Sequence, residues 1–271
     1  MTARLAVWRT PKLYIGGQFV RSESGQTVAV ATAEGILHAC RGSRKDLRDA
    51  TEHARAAQPK WAARAALNRG QILYRLGEML EGRGAGEAAD RAVHHAGWAD
   101  KVTALLSTLN PVSATYVNYT MIRPVGVIAA VVDPATGMLG MVEALAAATV
   151  MGNSVLLLVA AESVDDATTL AECIATSDWP AGVVQIVTGT LSELVGHVNG
   201  LDDIDTLLRV GTPLDAEVAL AAEQAGARTI RRLVDLPNPS IPATPEQLGR
   251  LAEAKTVWMS AYEPQGGAAS Y

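Results

Sequence analysis

The sequence contains little cysteine, few aromatic residues and few charges. Of its 271 residues 2 are cysteine, 4% are aromatic and 19% are charged. Cys40 and Cys173 show no CxxC spacing and are too few for a disulfide framework. No continuous apolar stretch of signal-peptide length occurs near the first residue, so no secretion signal is expected. We therefore predict a reducing compartment, the cytoplasm, as the location of the protein.

Basic clusters and uninterrupted hydrophobic runs long enough to span a membrane are also missing. The net charge is −5 at pH 7, whereas nucleic-acid binding needs a basic surface for the phosphate backbone. The most apolar window, 139–161, is interrupted by Glu143 and by the pair Gly152 and Asn153, which indicates a helix, a turn and a buried strand. With 49% hydrophobic residues, the composition predicts a packed globular protein with no nucleic-acid and no membrane partner.

The first third of the chain combines short strands with helices. The first forty residues alternate β-rich runs with Gly/Ser turns and predict a peripheral, hairpin-like lead-in. Ser43 followed by Asp46 forms a capping box, and apolar residues at helical spacing predict a helix over 43–58 that ends before Pro59. Further helical repeats predict helices over 67–80, 87–95 and 98–109.

From residue 123 the pattern changes to hydrophobic strands that alternate with helices. Five strands are predicted, over 125–132, 155–159, 183–187, 204–210 and 229–234. The helices between them include 165–175, 191–198 and 213–225. Such an alternation predicts an α/β fold, with a doubly wound parallel Rossmann-like sheet covered on both faces.

A proline-rich segment follows the last of these strands. LPNPSIPATP (236–245) holds four prolines in ten residues and can form neither a helix nor a central strand, because proline has no amide hydrogen to donate. Thr244 and Pro245 then begin a short helix, and KTVWMS (255–260) predicts a strand. We therefore divide the chain into an N-terminal region of strands and helices (1–122), a Rossmann-like domain (123–236) and a C-terminal segment (237–271).

Several segments together resemble the aldehyde dehydrogenase superfamily. They match its landmarks in order, namely KLYIGGQFV (12–20), WAARAALNRGQILYRLGEMLE (61–81), YTMIRPVGVIAAV (119–131), MGNSVLLL (151–158), AGVVQIVTG (181–189) and DDIDTLLRVGT (202–212). KTVWMS resembles a strand near the C-terminus of full-length members that pairs in an oligomerisation flap. The chain is most similar to the degenerate second region of the family-16 type, which lacks the catalytic domain.

The resemblance implies four chemical roles, and the sequence supplies no clear candidate for them. The nucleophilic cysteine would belong to the absent domain, and Cys40 and Cys173 are expected to be buried thiols. The oxyanion-binding Asn would fall in the stretch Asp133 to Gly137, where Ala135 or Thr136 takes its place and Asp133 is expected to form a turn. The base would be a Glu where Asp235 is the only nearby acid. We predict no catalytic residue in this chain.

Cofactor binding is the fourth role. The family holds the adenosine ribose with a Lys where this chain has Leu158, so a charged donor is lost. Gly189, Gly211 and Thr212 match positions that line the adenine pocket and meet the pyrophosphate near a helix N-terminus. The two glycines would equally serve turn geometry without any ligand. We expect no cofactor, with NAD or NADP as the alternative.

The remaining polar clusters do not predict a metal site. His94 and His95 are adjacent, and no Cys, Asp or Glu recurs near them at ligand spacing, so a solvated helix face is expected. Asp165 and Asp166 are expected at a helix N-terminus. The acids at 202, 203 and 205 are expected in a solvated loop.

The sequence therefore favours a non-catalytic aldehyde-dehydrogenase-like subunit that assembles with a full-length NAD(P)-dependent aldehyde dehydrogenase or with itself. Strands 116–122 and 255–259 would present unpaired edges that need a partner. Two alternatives stay open: an oxidoreductase of this family that acts on aldehydes with NAD(P), and a nucleotide-binding sensor without chemistry.

Overall fold

A computed structural model describes residues 9–32, 35–113, 115–212 and 214–261. The N-terminal region contains strands β1 (Leu13–Ile15), β2 (Gln18–Val20), β3 (Thr27–Thr32) and β4 (Gly35–Cys40), then helices α1 (Arg44–Ala62), α2 (Ala66–Glu81), α3 (Gly86–Ala96) and α4 (Val102–Leu106). The central region contains β5 (Thr108–Asn110), β6 (Tyr116–Pro124), β7 (Val127–Val132), α5 (Gly137–Val150), β8 (Ser154–Ala160), α6 (Val164–Ala175), β9 (Val184–Gly189), α7 (Leu191–Val198), β10 (Thr206–Val210), α8 (Ala216–Thr229) and β11 (Arg232–Leu236). Helix α9 (Pro245–Arg250) and strand β12 (Ala252–Ser260) follow.

A seven-stranded sheet forms the centre of the molecule. Its order is β11-β10-β7-β8-β9-β1-β2, and the first five strands are parallel. Successive strands therefore run outward from β7 in both directions, which is the order of a doubly wound Rossmann-like fold. The predicted α/β class and parallel sheet are confirmed.

Helices cover both faces of this sheet and create two apolar layers. Along β7 the side chains alternate: Ile128 and Ala130 join the layer formed with α2, α3, α5 and α6, while Val127 and Ala129 join the layer formed with α1, α7 and α8. All four are fully buried. Burial on both faces explains why these strands are continuous apolar runs in the sequence.

The first hairpin, β1 and β2, is part of the central sheet, so the prediction of a peripheral segment is wrong for it, whereas β3 and β4 form the separate two-stranded hairpin that the sequence predicts. Strand β1 pairs antiparallel with β9, placing Tyr14 opposite Ile186, and Leu13 has no exposed surface. The side chain of Gln185 accepts a hydrogen bond from the Gly16 amide at 2.7 Å. A three-residue strand shows too little alternation to reveal that it covers the edge of a buried strand.

Several element ends differ from the predicted ones. The capping box of Ser43 and Asp46 is present, but α1 continues through Pro59 to Ala62, because Trp61 anchors its last turn by donating to the Thr149 carbonyl at 2.9 Å. The helix predicted over 98–109 is only α4, and β5 takes its last residues. Helix α8 extends to Thr229, where a strand was predicted to begin. The predicted helix start at Pro213 lies outside the described residues.

Strands β5, β6 and β12 form a separate three-stranded sheet. Strand β12 pairs with β6 along nine residues, from Ala252 opposite Pro124 to Ser260 opposite Tyr116, and β5 pairs with the other side of β6. The prediction that 116–122 presents an unpaired edge is therefore wrong, because β6 is the central strand of this sheet and pairs with β12 on one side and with β5 on the other. The division of the chain at residues 122 and 236 stays a prediction, and 1–8 and 262–271 lie outside the described residues. None of the helices in the described ranges is both long and apolar enough to span a membrane.

A buried carboxylate ties the proline-rich segment to the helical layer. Glu143, on α5, is 1% exposed and accepts hydrogen bonds from Arg91 at 2.5 Å and from the Ala243 amide at 2.9 Å. His95 Nε2 lies 3.1 Å from the same carboxylate. Arg91 also donates to the carbonyl of Pro239 at 2.6 Å. The segment has no ladder of its own, so these contacts determine its path from β11 to α9.

We expect Glu143→Ala to destabilise the fold by about 3–5 kcal/mol, because it leaves the Arg91 guanidinium buried without its counter-charge. Burial raises the pKa of Glu143, but the hydrogen bonds and charges of His95 and Arg91 outweigh burial and lower that pKa overall. The carboxylate therefore stabilises the fold above about pH 4.3, the ordinary Glu value, and this stabilisation is lost as the pH falls toward the folded-state pKa. Urea unfolding at several pH values across this range measures the free energy of unfolding. That free energy should fall less steeply toward acid pH in Glu143→Gln than in the unchanged protein.

Glu81→Gln is the matched control, since Glu81 is exposed at the end of α2 and has no ion pair with a described residue. Its unfolding free energy should match that of the unchanged protein. An equally steep fall toward acid pH in Glu143→Gln and in the unchanged protein would contradict the assigned role of Glu143.

Candidate functional site

The candidate site lies at the carboxyl ends of the parallel strands. The order of strands reverses between β7 and β10, and in open α/β sheets ligands bind in the crevice outside such a switch point. The turns after β7, β8, β9 and β10 meet at this edge. A cleft of about 350 Å³ opens here, and Pro134, Glu162, Gly189 and Asp215 are among its lining residues.

Asp133 joins the two turns across the switch point. Its carboxylate accepts hydrogen bonds from the Thr212 amide at 2.9 Å, the Thr212 hydroxyl at 3.1 Å and the Ala135 amide at 2.9 Å. Partial burial raises the pKa of Asp133, but the three donated hydrogen bonds outweigh burial and hold that pKa below its ordinary value. Asp133 forms the turn that the sequence predicts, and its carboxylate also binds Thr212 in the turn after β10.

Gly211 allows the two turns to approach each other. It has φ +76°, and a Cβ at this position would lie 2.6 Å from the Cβ of Asp133, so a side chain is excluded. Both donors of Thr212 go to Asp133. The two residues predicted to meet a pyrophosphate are thus used in a contact within the chain, and their role in cofactor binding stays a prediction.

Acidic groups surround the helix N-terminus next to this turn. Asp215 caps α8 by accepting a hydrogen bond from the Val218 amide at 2.9 Å, and Glu217 lies in the first turn. A helix N-terminus attracts anions through its free amides and its dipole. The cap takes one of these amides, and the two carboxylates repel a phosphate.

Gly189 and Leu158 occupy different environments. Gly189 is buried at the end of β9 and lines the cleft, and a Cβ there would lie 3.3 Å from Leu194. Leu158 lies two residues before the end of β8, fully buried in the layer formed with α1 and α7. The charged side chains that line this cleft are Glu162 and Asp215, both acids.

The positions implied for catalysis hold groups that are already engaged. The Thr136 hydroxyl donates to the Asp133 carbonyl at 2.6 Å. Asp235, on β11, accepts two hydrogen bonds from Arg209, at 2.5 and 2.9 Å. Both carboxylate oxygens of Asp235 are therefore occupied by one guanidinium in a bidentate ion pair.

Both cysteines are buried and unpaired, as predicted. The Cys40 thiol lies 3.5 Å from the Pro11 carbonyl. Burial raises the pKa of the Cys173 thiol, which lowers its thiolate fraction and its reactivity. Neither cysteine lines the cleft.

The remaining polar clusters were only partly predicted. His95 has no exposed surface and contacts Glu143, so the prediction of a solvated face is wrong for it, because α3 packs on α5. Asp205 pairs with Arg55 at 2.8 Å and accepts from the Val127 amide, so this acid is not simply solvated. In the described part of the chain no group of three or more His, Cys, Asp or Glu side chains is placed to hold a metal ion.

The sheet order and the crevice define an α/β protein with a doubly wound, Rossmann-like fold. The model of the aldehyde dehydrogenase family matches residues 19–89 and 84–233, and the chain belongs to this family. The DhaS protein of Bacillus subtilis is 28% identical over 251 residues, which cover 83% of this chain and 50% of the relative. The phenylacetaldehyde dehydrogenase of Pseudomonas fluorescens is 30% identical over 208 residues, 66% of this chain and 41% of the relative.

Solved structures agree with this assignment. HpcC from Thermus thermophilus superposes with a TM-score of 0.77 at 25% identity and covers 84% of this chain and 48% of its own. PnpE in complex with nicotinamide adenine dinucleotide gives 0.77 at 21% identity, over 84% of this chain and 50% of its own. The chain spans about half the length of the relatives it matches.

We expect Asp133→Ala to free the two turns, costing about 1 kcal/mol of stability because charge-assisted hydrogen bonds are lost at a partly exposed site. Amide hydrogen exchange should show faster exchange at Thr212. Thr212→Val is the matched control, since it removes the hydroxyl contact and keeps the amide donor, so exchange at residue 212 should stay slow. Equal protection in the unchanged protein and in Asp133→Ala would contradict the role of Asp133.

Proposed function

We propose that this chain is a non-catalytic aldehyde-dehydrogenase-like subunit that assembles through β12 with a full-length NAD(P)-dependent aldehyde dehydrogenase or with a second copy of itself. The observation that carries the proposal is the position of β12. This strand lies at the edge of the three-stranded sheet, and no described strand pairs with its outer side.

The exposed length of β12 supports assembly. The eight residues from Ala252 to Met259 span about 26 Å in extended conformation, and open edges of this length promote pairing with another chain. Trp258 is 63% exposed and Met259 is 49% exposed. A partner strand would satisfy the outer backbone groups and cover these two side chains.

The engaged groups at the candidate site favour a subunit without chemistry. Asp235 is held by Arg209 and Thr136 by the Asp133 carbonyl, so neither is free to act as a base or an oxyanion donor. This state fits the finer resemblance to the degenerate second region of the family-16 type. It also fits a protein that keeps the fold of its family and holds a partner's active sites in place, within the cytoplasm.

We also propose that the subunit binds no dinucleotide in the manner of PnpE, whose solved structure contains nicotinamide adenine dinucleotide. Asp133 uses both donors of Thr212, and Asp215 and Glu162 place two negative charges at the cleft. A pyrophosphate would have to displace Asp133 from the donors of Thr212, and it would lie beside the carboxylates of Asp215 and Glu162.

The direct test is affinity capture of the tagged chain from its native cell extract, followed by mass spectrometry and light scattering. We expect a full-length aldehyde dehydrogenase in fixed stoichiometry, or a defined self-oligomer. A purified chain that is monomeric and captures no dehydrogenase would refute the proposal.

Two proline variants test the role of the β12 edge. Amides of neighbouring residues in a strand point to opposite sides, so one of Thr256→Pro and Val257→Pro removes an amide directed at β6 and the other an amide directed outward. The outward variant should abolish assembly in light scattering with little loss of thermal stability. The inward variant should lower stability, since it breaks the pairing with β6. Assembly of the outward variant at the mass of the unchanged protein would exclude edge pairing.

The second candidate function is an oxidoreductase that acts on aldehydes with NAD(P), and membership of the family favours it. Production of NADH or NADPH by the purified chain with an aldehyde would establish this function in place of the subunit role. Calorimetric titration with NAD and NADP tests a third case. Binding of either nucleotide without turnover of an aldehyde would identify a nucleotide sensor.

A further inference from the structure

A second cleft lies at the opposite edge of the parallel sheet from the candidate site. Its volume is about 930 Å³, within the range of small-molecule sites. The end of α1, the start of α4, the end of α5 and the paired strands β6 and β12 surround it. Pro124 and Met151, which precede β7 and β8, lie in its wall.

A buried arginine forms the floor of this cleft. Arg69 is 8% exposed and is held by three carbonyl groups: its Nε donates to Val150, and its Nη1 donates to Ala62 and Arg64. Its Nη2 has no hydrogen-bond partner among the described residues. A guanidinium that is fixed by carbonyls and keeps one nitrogen free can donate a hydrogen bond to an acceptor in the cleft.

Two more cations project from the sheet beside it. Arg123 on β6 lies opposite Glu253 on β12, and Lys255 follows two residues along β12. Paired residues and residues two apart share one face of a sheet, so Arg123, Lys255, Glu253 and Met121 lie on one face of the β6–β12 pair. All four line the cleft, and Ile122 and Ala254 of the opposite face line it too. Arg123 and Lys255 are diagonal neighbours, with backbones about 7–8 Å apart in such a pair. Within the described residues neither forms an ion pair.

The negative groups nearby are partly compensated. Glu253 has Arg232 as a partner at 3.7 Å. The carbonyl end of α5 carries a partial negative charge, but Trp61 donates to the Thr149 carbonyl and Arg69 to the Val150 carbonyl. The side chains of Gln58 and Thr103 add neutral polar groups to the lining. The cleft therefore keeps an excess of positive charge in a chain whose net charge is −5.

We propose that this cleft binds a small molecule with two anionic groups, a dicarboxylate or a molecule with two phosphoryl groups, through Arg69, Arg123 and Lys255. One anionic group would accept from the free Nη2 of Arg69 at the floor, and the other would lie between Arg123 and Lys255 at the rim. Bidentate guanidinium contacts suit both carboxylate and phosphate oxygens. The site is separate from the edge with Asp133 and Thr212 and does not depend on the function proposed above.

Calorimetric titration of the intact protein with citrate and with diphosphate, at physiological salt, tests the proposal. We expect one site per chain for at least one probe, and the stronger probe identifies the anion class. The double variant Arg123→Gln with Lys255→Gln should weaken binding at least about tenfold, because two charge-assisted contacts are lost. Glu253→Gln should strengthen binding severalfold, because a like charge at the rim is removed.

The matched control is Arg44→Gln with Lys45→Gln. It removes the same two charges from the exposed start of α1, away from the cleft, and should leave binding unchanged. Thermal unfolding of each variant verifies folding, and the gain expected for Glu253→Gln cannot come from misfolding. Binding of neither probe, or equal binding by all variants, would overturn the proposal. A change in oligomer mass on mutating Arg123 and Lys255, without any binding of anions, would also overturn it and assign these cations to a protein interface.

Discussion

The Glu143 carboxylate is the interaction on which the relation between the seven-stranded and the three-stranded sheet depends. A charge without contact to water is stable only if its hydrogen bonds are satisfied, and Glu143 obtains them from α3 and from the Ala243 amide of the proline-rich segment. The segment leaves β11 without a ladder of its own and reaches α9 along a path set by these contacts. Strand β12 begins two residues after α9, so the contacts of Glu143 also limit where β12 can begin beside β6.

The sequence predicted the parallel sheet well because its inner strands β7 and β8 are buried along their whole length and have long apolar runs. It failed where the information is not local. Strand β1 is too short for periodicity to appear, and the contact between Asp133 and Thr212 joins residues 79 positions apart. His95 was expected in water because the direction in which α3 packs is not visible in its own residues. Glu143 did leave a signal, since an acid within the most apolar window needs a buried partner.

At the candidate site the chain keeps the backbone geometry of its family, while the polar groups of the turn form hydrogen bonds within the chain. Gly211 still permits a close approach, but what approaches is Asp133 of the same chain. The resemblance placed Gly211 and Thr212 at this turn, and only the structure reveals what their donors contact. The two edges of the sheet thus differ in electrostatics: the charged residues at the carboxyl ends are acids, whereas the cleft at the amino ends is lined by three cations, none ion-paired with a described residue, and one acid.

The pairing of β6 with β12 has a consequence for biosynthesis. Thr120 and Thr256, which touch across this pair, are 136 residues apart, and contacts of such separation form late because a long loop must close first. During translation β6 therefore emerges from the ribosome long before β12, one of its two neighbours in the sheet, has been synthesised. During that interval an equivalent strand from another nascent chain can occupy the vacant side of β6, so that subunits synthesised close together can exchange strands before either has completed its own sheet.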